Sequence, residues 1–310
     1  MRTSEYNQNS FKPPYYAMQY PWLMPTWKNF IRLVQADRLP HAVLLTGAAG
    51  TGKSYLVREI ARHLLTKTDA EQHLYNSADG HPDLIWVTPE GKADVIKIDQ
   101  IRTATEVLSK TAQQGGYRIL VITPADRLNK AAANALLKCL EEPGAHTLIV
   151  LISASPHLLL PTLRSRCQRW HLQVAFDAGS AWLRTQQVPQ DIIDTYWPVL
   201  QGAPLALLEQ FQNGQLQERT RFREHILTAK NPLGNLQTFE SISMITLLNW
   251  ALELIKDTLQ QEKSLYKIQA FCKGWDQLIQ LKSLLEQQIL PNPVLLRERI
   301  FIDCHRLFQG

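Results

Sequence analysis

The sequence predicts an α/β fold with a mainly parallel sheet and helices on both faces, followed by an all-helical region. Between about residues 42 and 152, short apolar runs alternate with amphipathic segments of helix length. A glycine-rich loop follows the first apolar run, and no strong strand pattern returns after Trp170. These three observations indicate one α/β domain that is succeeded by helices.

The α/β region begins with a helical segment that ends at Ala36, because its apolar residues recur at helical spacing. The first strand is Ala42-Val43-Leu44-Leu45, whose unbroken apolar character is typical of a buried parallel strand. The remaining elements follow from the same two criteria. They are a helix at 54–65, a strand at 84–87, a helix at 98–110, a strand at 119–122, a helix at 130–142 and a strand at 147–152.

The region after Trp170 contains helical patterns only. Short helical segments cover about 178–210, and longer ones are predicted at 242–259, 266–288 and 293–308. A chain of 310 residues has room for two or three domains of roughly 100–150 residues each. The change of pattern predicts three domains, comprising residues 1–172, 173–212 and 213–310.

Composition narrows the class of protein without identifying it. A net charge of +5 permits contact with nucleic acid but is common among other proteins. No segment offers the roughly 20 consecutive apolar residues that cross a bilayer, and the N-terminus lacks the pattern of a signal peptide. The four cysteines are far apart and form no C-x-x-C pair. We therefore expect a reducing, cytoplasmic location with no membrane contact, no disulfide framework and no metal site.

The glycine-rich loop carries the strongest chemical signal in the chain. Residues 47–54 read Gly-Ala-Ala-Gly-Thr-Gly-Lys-Ser and fit the phosphate-binding pattern G-x-x-x-x-G-K-[ST] at every fixed position. Backbone N–H groups of such a loop converge on an anion at a helix N-terminus, Lys53 reaches the phosphates, and Ser54 offers a hydroxyl to Mg²⁺. The candidate nucleotide-binding residues are Gly47, Gly50, Thr51, Gly52, Lys53 and Ser54.

Two weaker interpretations of this loop stay open. The glycines could serve only a strand-to-helix turn, with Lys53 solvated, or the loop could keep its shape and bind nucleotide weakly. Hydrolysis requires more than the loop, because a carboxylate on the neighbouring strand orients Mg²⁺ and a second aligns water. That strand ends in Thr123 and Pro124, neither of which has a carboxylate. Asp126 is a possible substitute, although a turn or a helix N-cap is its expected role.

Several motifs resemble the clamp-loader subunits of bacterial DNA polymerase III, within the AAA+ superfamily. They are Leu39-Pro40-His41-Ala42, His81-Pro82-Asp83, the run from Ala131 to Pro143, and Thr162-Leu163-Arg164-Ser165-Arg166-Cys167. The likeness covers about residues 20–170 with specific motifs and continues as architecture only. It implies an AAA+ phosphate-loop domain, a small helical lid and an all-α collar domain.

The resemblance also implies roles for individual residues. In this family the Ser-Arg-Cys turn presents an arginine finger, so Arg166 would reach into the ATP site of an adjacent motor subunit. The alternative is that Arg166 forms a local ion pair beside an exposed turn. Ser153 matches a polar position that senses the γ-phosphate in active relatives. Their helical arginine would fall near 202–205, where this chain has none.

The resemblance therefore implies a non-hydrolysing subunit that helps ATP-dependent loading of a sliding clamp onto primed DNA. ATP with Mg²⁺, held but not hydrolysed, is the implied cofactor. The implied partners are the motor subunits (gamma or tau), the clamp-opening delta subunit, the sliding clamp and primer–template DNA. A catalytically active motor-type ATPase and a nucleotide-binding scaffold unrelated to replication are the alternatives.

One segment departs from the family pattern. Many relatives carry a cysteine cluster that binds zinc before the His-Pro-Asp motif, whereas residues 66–80 of this chain contain no cysteine. His63, His73 and His81 alone are a poor ligand set. We therefore expect no zinc.

Overall fold

The computed structural model describes residues 15–65, 81–91, 94–109, 116–234, 236–286 and 292–309. The chain divides into two compact units, Met1–Glu209 and Gln210–Gly310. The finer boundary near residue 172, which would separate a lid from the α/β domain, stays a prediction.

The first unit is built on a five-stranded sheet in the order β2-β3-β4-β1-β5. All four strand pairings are parallel, which confirms the fold class expected from the alternating pattern. The first four strands coincide with the predicted runs to within one residue at each end. The strands are β1 (Ala42–Thr46), β2 (Leu84–Val87), β3 (Arg118–Ile122), β4 (Thr147–Ser153) and β5 (Gln168–His171).

Helices cover both faces of this sheet because successive strand residues point to opposite sides. Val43 and Leu45 belong to one buried cluster, which includes residues of the helices that precede and follow β1. Ala42 and Leu44 belong to the other cluster, with residues of the helices that flank β3. The helices of this part are α1 (Tyr15–Gln19), α2 (Met24–Gln35), α3 (Lys53–Leu65), α4 (Ile98–Ser109), α5 (Lys130–Glu141) and α6 (Pro161–Arg164).

One strand and two α-helices of the first unit were not predicted. The strand β5 lies at an edge of the sheet beside β1, and only Trp170 of its four residues is buried. It therefore lacks the apolar run that identifies the central strands. The helices α1 and α6 have only five and four residues, which is too short for a helical period to be recognised.

Three shorter helices complete the first unit and lead into the second. They are α7 (Phe176–Thr185), α8 (Gln190–Tyr196) and α9 (Pro204–Gln212). Trp197 packs between two glycines of this segment, since a Cβ built on Gly179 would lie 2.1 Å from its ring and one on Gly202 would lie 3.3 Å away. The absence of side chains at both positions allows these helices to close around one indole.

The described residues of the second unit form helices joined by turns, with no strand among them, as predicted. Its long helices begin and end within two residues of the predicted positions wherever both ends are described. An aromatic cluster of Phe222, Phe239 and Phe301 lies in its core. None of the described helices of the chain combines the length and apolar character needed to cross a membrane. The long helices of this unit are α10 (Gln215–Thr228), α11 (Met244–Gln261), α12 (Leu265–Glu286) and α13 (Pro293–Gln309).

Candidate phosphate-binding loop and exposed arginine

The candidate phosphate-binding loop lies where its motif predicts, between β1 and the N-terminus of α3. Because β1 is flanked by β4 and β5, the loop emerges from the interior of the sheet at its carboxyl edge. Gly50 and Gly52 have φ angles of +82° and +89°, which residues with a Cβ rarely adopt. The helix that starts at Lys53 directs its positive dipole end toward the loop. The backbone therefore has the conformation and polarity of an anion site.

Lys53 is buried inside this loop, with only 7% of its surface exposed. Its Nζ donates hydrogen bonds to the carbonyl oxygens of Gly47 at 2.8 Å and Ala48 at 2.6 Å. An ammonium group has three N–H donors, so one remains for a further acceptor. Burial lowers the pKa of Lys53 to about 8, and the negative charge of Asp126 acts in the opposite direction. A bound phosphate would offset this burial with a direct counter-charge.

The lowered pKa predicts a specific dependence of stability on pH. Between pH 8 and 10.5 the folded chain releases the Lys53 proton while the unfolded chain retains it. The unfolded state then binds more protons, so the free energy of unfolding should rise with pH in this window, by about 1–3 kcal/mol from Lys53. Urea unfolding at several pH values should show this rise in the wild type relative to Lys53→Met. The control Lys138→Met removes an exposed lysine, and its pH dependence should match that of the wild type.

The outer side of the loop is held by contacts that the motif does not predict. The indole Nε1 of Trp22 donates to the carbonyl oxygen of Thr51 at 2.8 Å. On the other side, the backbone N–H of Leu205 in α9 donates to the carbonyl oxygen of Gly50 at 3.1 Å. A Cβ on Gly50 would lie 2.5 Å from the Cβ of Ala206. The loop is thus fixed from outside by segments that lie far from it in sequence.

The residues present fit a phosphate group, and Ser54 fits a role at a magnesium ion. Ser54 is half-buried in the first turn of α3, beside Lys53. Among the described residues, no group of three or more His, Cys, Asp or Glu side chains could hold a metal ion. Residues 66–80, on which the expectation of no zinc depended, lie outside the described residues. That expectation stays a prediction.

The carboxyl end of β3 is where an ATPase would carry its acidic pair. Thr123 and Pro124 follow this strand, and Asp126 lies in the 3₁₀ turn Ala125–Arg127. Ser153, at the end of β4, donates a hydrogen bond from Oγ to Asp126 Oδ1 at 2.7 Å. The structure thus brings together Asp126 and the polar position that the motifs singled out. Of the two roles expected for Asp126, the turn is correct, whereas the N-cap of α5 is Asn129.

Arg166 lies in the exposed turn after α6, and its guanidinium contacts residues of its own chain. Nε donates to Glu141 Oε1 at 2.9 Å, and Nη2 lies 2.6 Å from the same oxygen. Nη1 donates to the carbonyl oxygen of Thr162 at 3.0 Å. The side chains of Arg166 and Glu141 are 36% and 49% exposed. The local ion pair considered as an alternative is therefore present in the single chain, on a surface open to solvent.

The neighbours of Arg166 differ from it in their contacts. Arg164 and Arg169 are exposed, and within the described residues neither side chain has a hydrogen bond or ion pair. Cys167 is buried against the sheet, and burial raises the pKa of its thiol to about 11. A thiol with this pKa stays protonated at neutral pH, which agrees with the expected packing role.

Comparison with known proteins identifies the family. The family model described as "DNA polymerase III, delta subunit" matches residues 23–175. DNA polymerase III subunit delta' of Haemophilus influenzae is 32% identical over 78% of this chain and 78% of its own. The subunit of the same name from Escherichia coli is 32% identical over 78% of this chain and 76% of its own.

A solved structure agrees with the fold. The DNA polymerase III gamma subunit-related protein of Thermotoga maritima superposes with a TM-score of 0.55 at 17% identity. The match covers 91% of this chain and 99% of that one. The resemblance drawn from the motifs is therefore confirmed, and the chain belongs to the delta' family of DNA polymerase III subunits.

Proposed function

We propose that this chain is the non-hydrolysing delta' subunit of a bacterial clamp loader, and that it supplies Arg166 to the ATP site of an adjacent motor subunit. The observation that carries the proposal is that the chain has some parts of an ATPase site and lacks others. The chain has an ordered phosphate loop but no carboxylate at Thr123 or Pro124. Its exposed Arg166 stands in a turn outside that loop. Such a chain is suited to complete a neighbour's active site.

The proposed partners follow from the family. They are the gamma or tau motor subunits, the delta subunit, the sliding clamp and primer–template DNA within the assembled complex. The second, helical unit supplies the proposed collar that joins the subunits. Membership of the delta' family gives no support to the scaffold unrelated to replication.

We also propose that the loop binds ATP with Mg²⁺ and does not hydrolyse it. The loop N–H groups and Lys53 would bind the phosphates, and Ser54 would contribute a hydroxyl to the metal. Bound Mg²⁺ would neutralise phosphate charge. The Asp126 carboxylate accepts a hydrogen bond from Ser153. Neither Thr123 nor Pro124 has a carboxylate to position Mg²⁺ or to activate an attacking water, so nucleotide would serve structure and not turnover.

Arg166 suits the proposed role for chemical reasons. An arginine guanidinium is planar and can direct two parallel N–H donors at two oxygens of one phosphate. Charge builds on the transferred phosphoryl group in the transition state, so a cation supplied at that point lowers the barrier. The exposed turn places this cation on the surface of the chain, where a neighbour can receive it.

The isolated chain should hydrolyse ATP no faster than its own Lys53→Ala variant, with or without primed DNA. The reason is that metal positioning and water activation are both missing, which together should cost several orders of magnitude in rate. Phosphate release measured with Mg²⁺ tests this directly. In parallel, the tagged chain should capture motor and delta subunits in a pull-down. Turnover that disappears in Lys53→Ala would contradict the proposal.

A motor-type ATPase is the second candidate, and one observation favours it. Asp126 is close enough to Lys53 to influence its pKa and accepts a hydrogen bond from Ser153, as a catalytic acid could. If Asp126 is catalytic, Asp126→Asn should abolish hydrolysis by the isolated chain. If the chain is idle, as proposed, Asp126→Asn should leave its background rate unchanged.

A further inference from the structure

We propose that the Glu141 carboxylate holds Arg166 in a withdrawn state, in which the guanidinium is paired within its own chain. When the ATP site of a partner receives Arg166, phosphate must replace Glu141 as the group that the guanidinium contacts. This inference rests on the proposed function of Arg166. Glu141 would be a positioning residue: it touches neither nucleotide nor metal, and it acts through the guanidinium alone. Its effect would be to set how readily the finger engages.

The argument begins with the donors of Arg166. A guanidinium can contact an oxyanion pair through the Nε–H and Nη2–H side or through the Nη1–H and Nη2–H end. Glu141 Oε1 receives both donors of the first side, at 2.9 Å from Nε and 2.6 Å from Nη2. The carbonyl oxygen of Thr162 receives a donor of Nη1, so it engages one of the two nitrogens of the second side. A phosphate that needs the first side must displace Glu141.

Charge leads to the same requirement. If Glu141 stayed paired while Arg166 entered a nucleotide site, its carboxylate would come within a few ångströms of a triphosphate. Like charges repel, and more strongly where an interface excludes water. The lowest-energy docked state therefore has the guanidinium on phosphate and the carboxylate turned away. Glu141 is 49% exposed, so solvent is available to receive it.

Glu141 is expected to compete only weakly with phosphate for the Arg166 guanidinium. An exposed ion pair is weak in water and is screened by salt. The ion pair should thus weaken the binding of anions from solution to Arg166. The multiply charged triphosphate in the ATP site of a partner should still displace Glu141. The ion pair also orders the Arg166 side chain, because Glu141 in α5 and Thr162 in α6 hold it in one conformation before docking.

The test uses the reconstituted clamp loader with motor and delta subunits, sliding clamp and primed DNA. ATP hydrolysis is measured while this chain is titrated in, at low and at high salt. Glu141→Gln removes the charge with little change of shape. We expect the concentration of this chain that gives half-maximal ATP hydrolysis to fall by about two- to fivefold at low salt. The difference should disappear at high salt. Glu142→Gln is the control, since it makes the same charge change at the next exposed position.

A second measurement follows the free chain without partners. The Nε–H resonance of Arg166, assigned by its loss in Arg166→Lys, should shift and exchange faster with water in Glu141→Gln but not in Glu142→Gln. The double variant Glu141→Gln/Arg166→Ala should behave as Arg166→Ala alone. These readouts respond to the ion pair itself and not to general stability.

The outcomes separate this inference from the proposed function. If Arg166→Ala impairs hydrolysis but Glu141→Gln matches the wild type or requires a higher concentration, the withdrawn state is wrong and the finger stands. If Arg166→Ala has no effect on hydrolysis, both proposals fail. An unchanged Nε–H resonance in Glu141→Gln would overturn the ion pair in solution.

Discussion

Replacing Arg166 by Ala is expected to lower ATP hydrolysis at the receiving site of the assembled clamp loader by about 10³- to 10⁵-fold. The loss is large because the finger would contact charge that develops mainly in the transition state. Assembly should stay intact, since the side chain is exposed and its hydrogen bonds within the described residues go to Glu141 and Thr162 of its own chain. Single-turnover hydrolysis by the reconstituted complex measures the rate, and size-exclusion chromatography verifies assembly.

Two variants make this result specific. Arg164→Ala removes an exposed arginine two positions away, and its rate should stay within a few-fold of the wild type. Arg166→Lys keeps the charge but loses the planar pair of donors, so most of the loss should persist. If a complete complex that contains the Arg166→Ala variant hydrolyses ATP at the wild-type rate, the finger assignment is wrong.

Replacing Gly50 by Ala is expected to cause a large loss of stability in the first unit. Gly50 has a φ of +82°, a conformation that costs a residue with a Cβ about 1–2 kcal/mol. The new Cβ would also lie 2.5 Å from the Cβ and 2.6 Å from the backbone N of Ala206. Overpacking of this kind adds about 1–3 kcal/mol. Thermal unfolding should show the Tm of this unit lowered by about 5–15 °C.

Gly91 provides a matched control for this substitution. Its φ is +74°, but a Cβ built there would meet no atom of the described residues within 4 Å. Gly91→Ala should therefore show the backbone cost without the collision. Adding Ala206→Gly to Gly50→Ala should restore part of the stability, because it removes one of the two colliding atoms. Equal losses in the Gly50 and Gly91 variants would show that α9 does not pack on the loop as described.

Central elements of the fold were predictable because each carries a local signal. The unbroken apolar runs of β1 and β4 and the loop motif identify their own structure, whatever lies around them. The edge strand β5 could not be predicted, because its position depends on hydrogen bonds with β1, more than 100 residues away. Its register places Trp170 opposite Leu45, a pairing that no local pattern encodes.

The sequence identified the residues of the candidate site but not the contacts that they make. The motif identifies Lys53, but its lowered pKa follows from burial, which the negative charge of the neighbouring Asp126 opposes only in part. Arg166 was identified from Ser-Arg-Cys, yet its partner Glu141 lies 25 residues away on another helix. Trp22 and Leu205 were missed for the same reason. A hydrogen bond from an indole or a backbone N–H to a distant carbonyl leaves no trace in sequence spacing.

The outward contacts of the phosphate loop have a thermodynamic consequence. The carbonyl oxygens of Thr51 and Gly50 already have donors in Trp22 and Leu205. An anion that enters the loop therefore meets a backbone whose conformational freedom was lost when the chain folded. The entropy of ordering these residues belongs to folding and not to binding. The heat capacity change of ligand binding should thus be small, because little additional apolar surface leaves water.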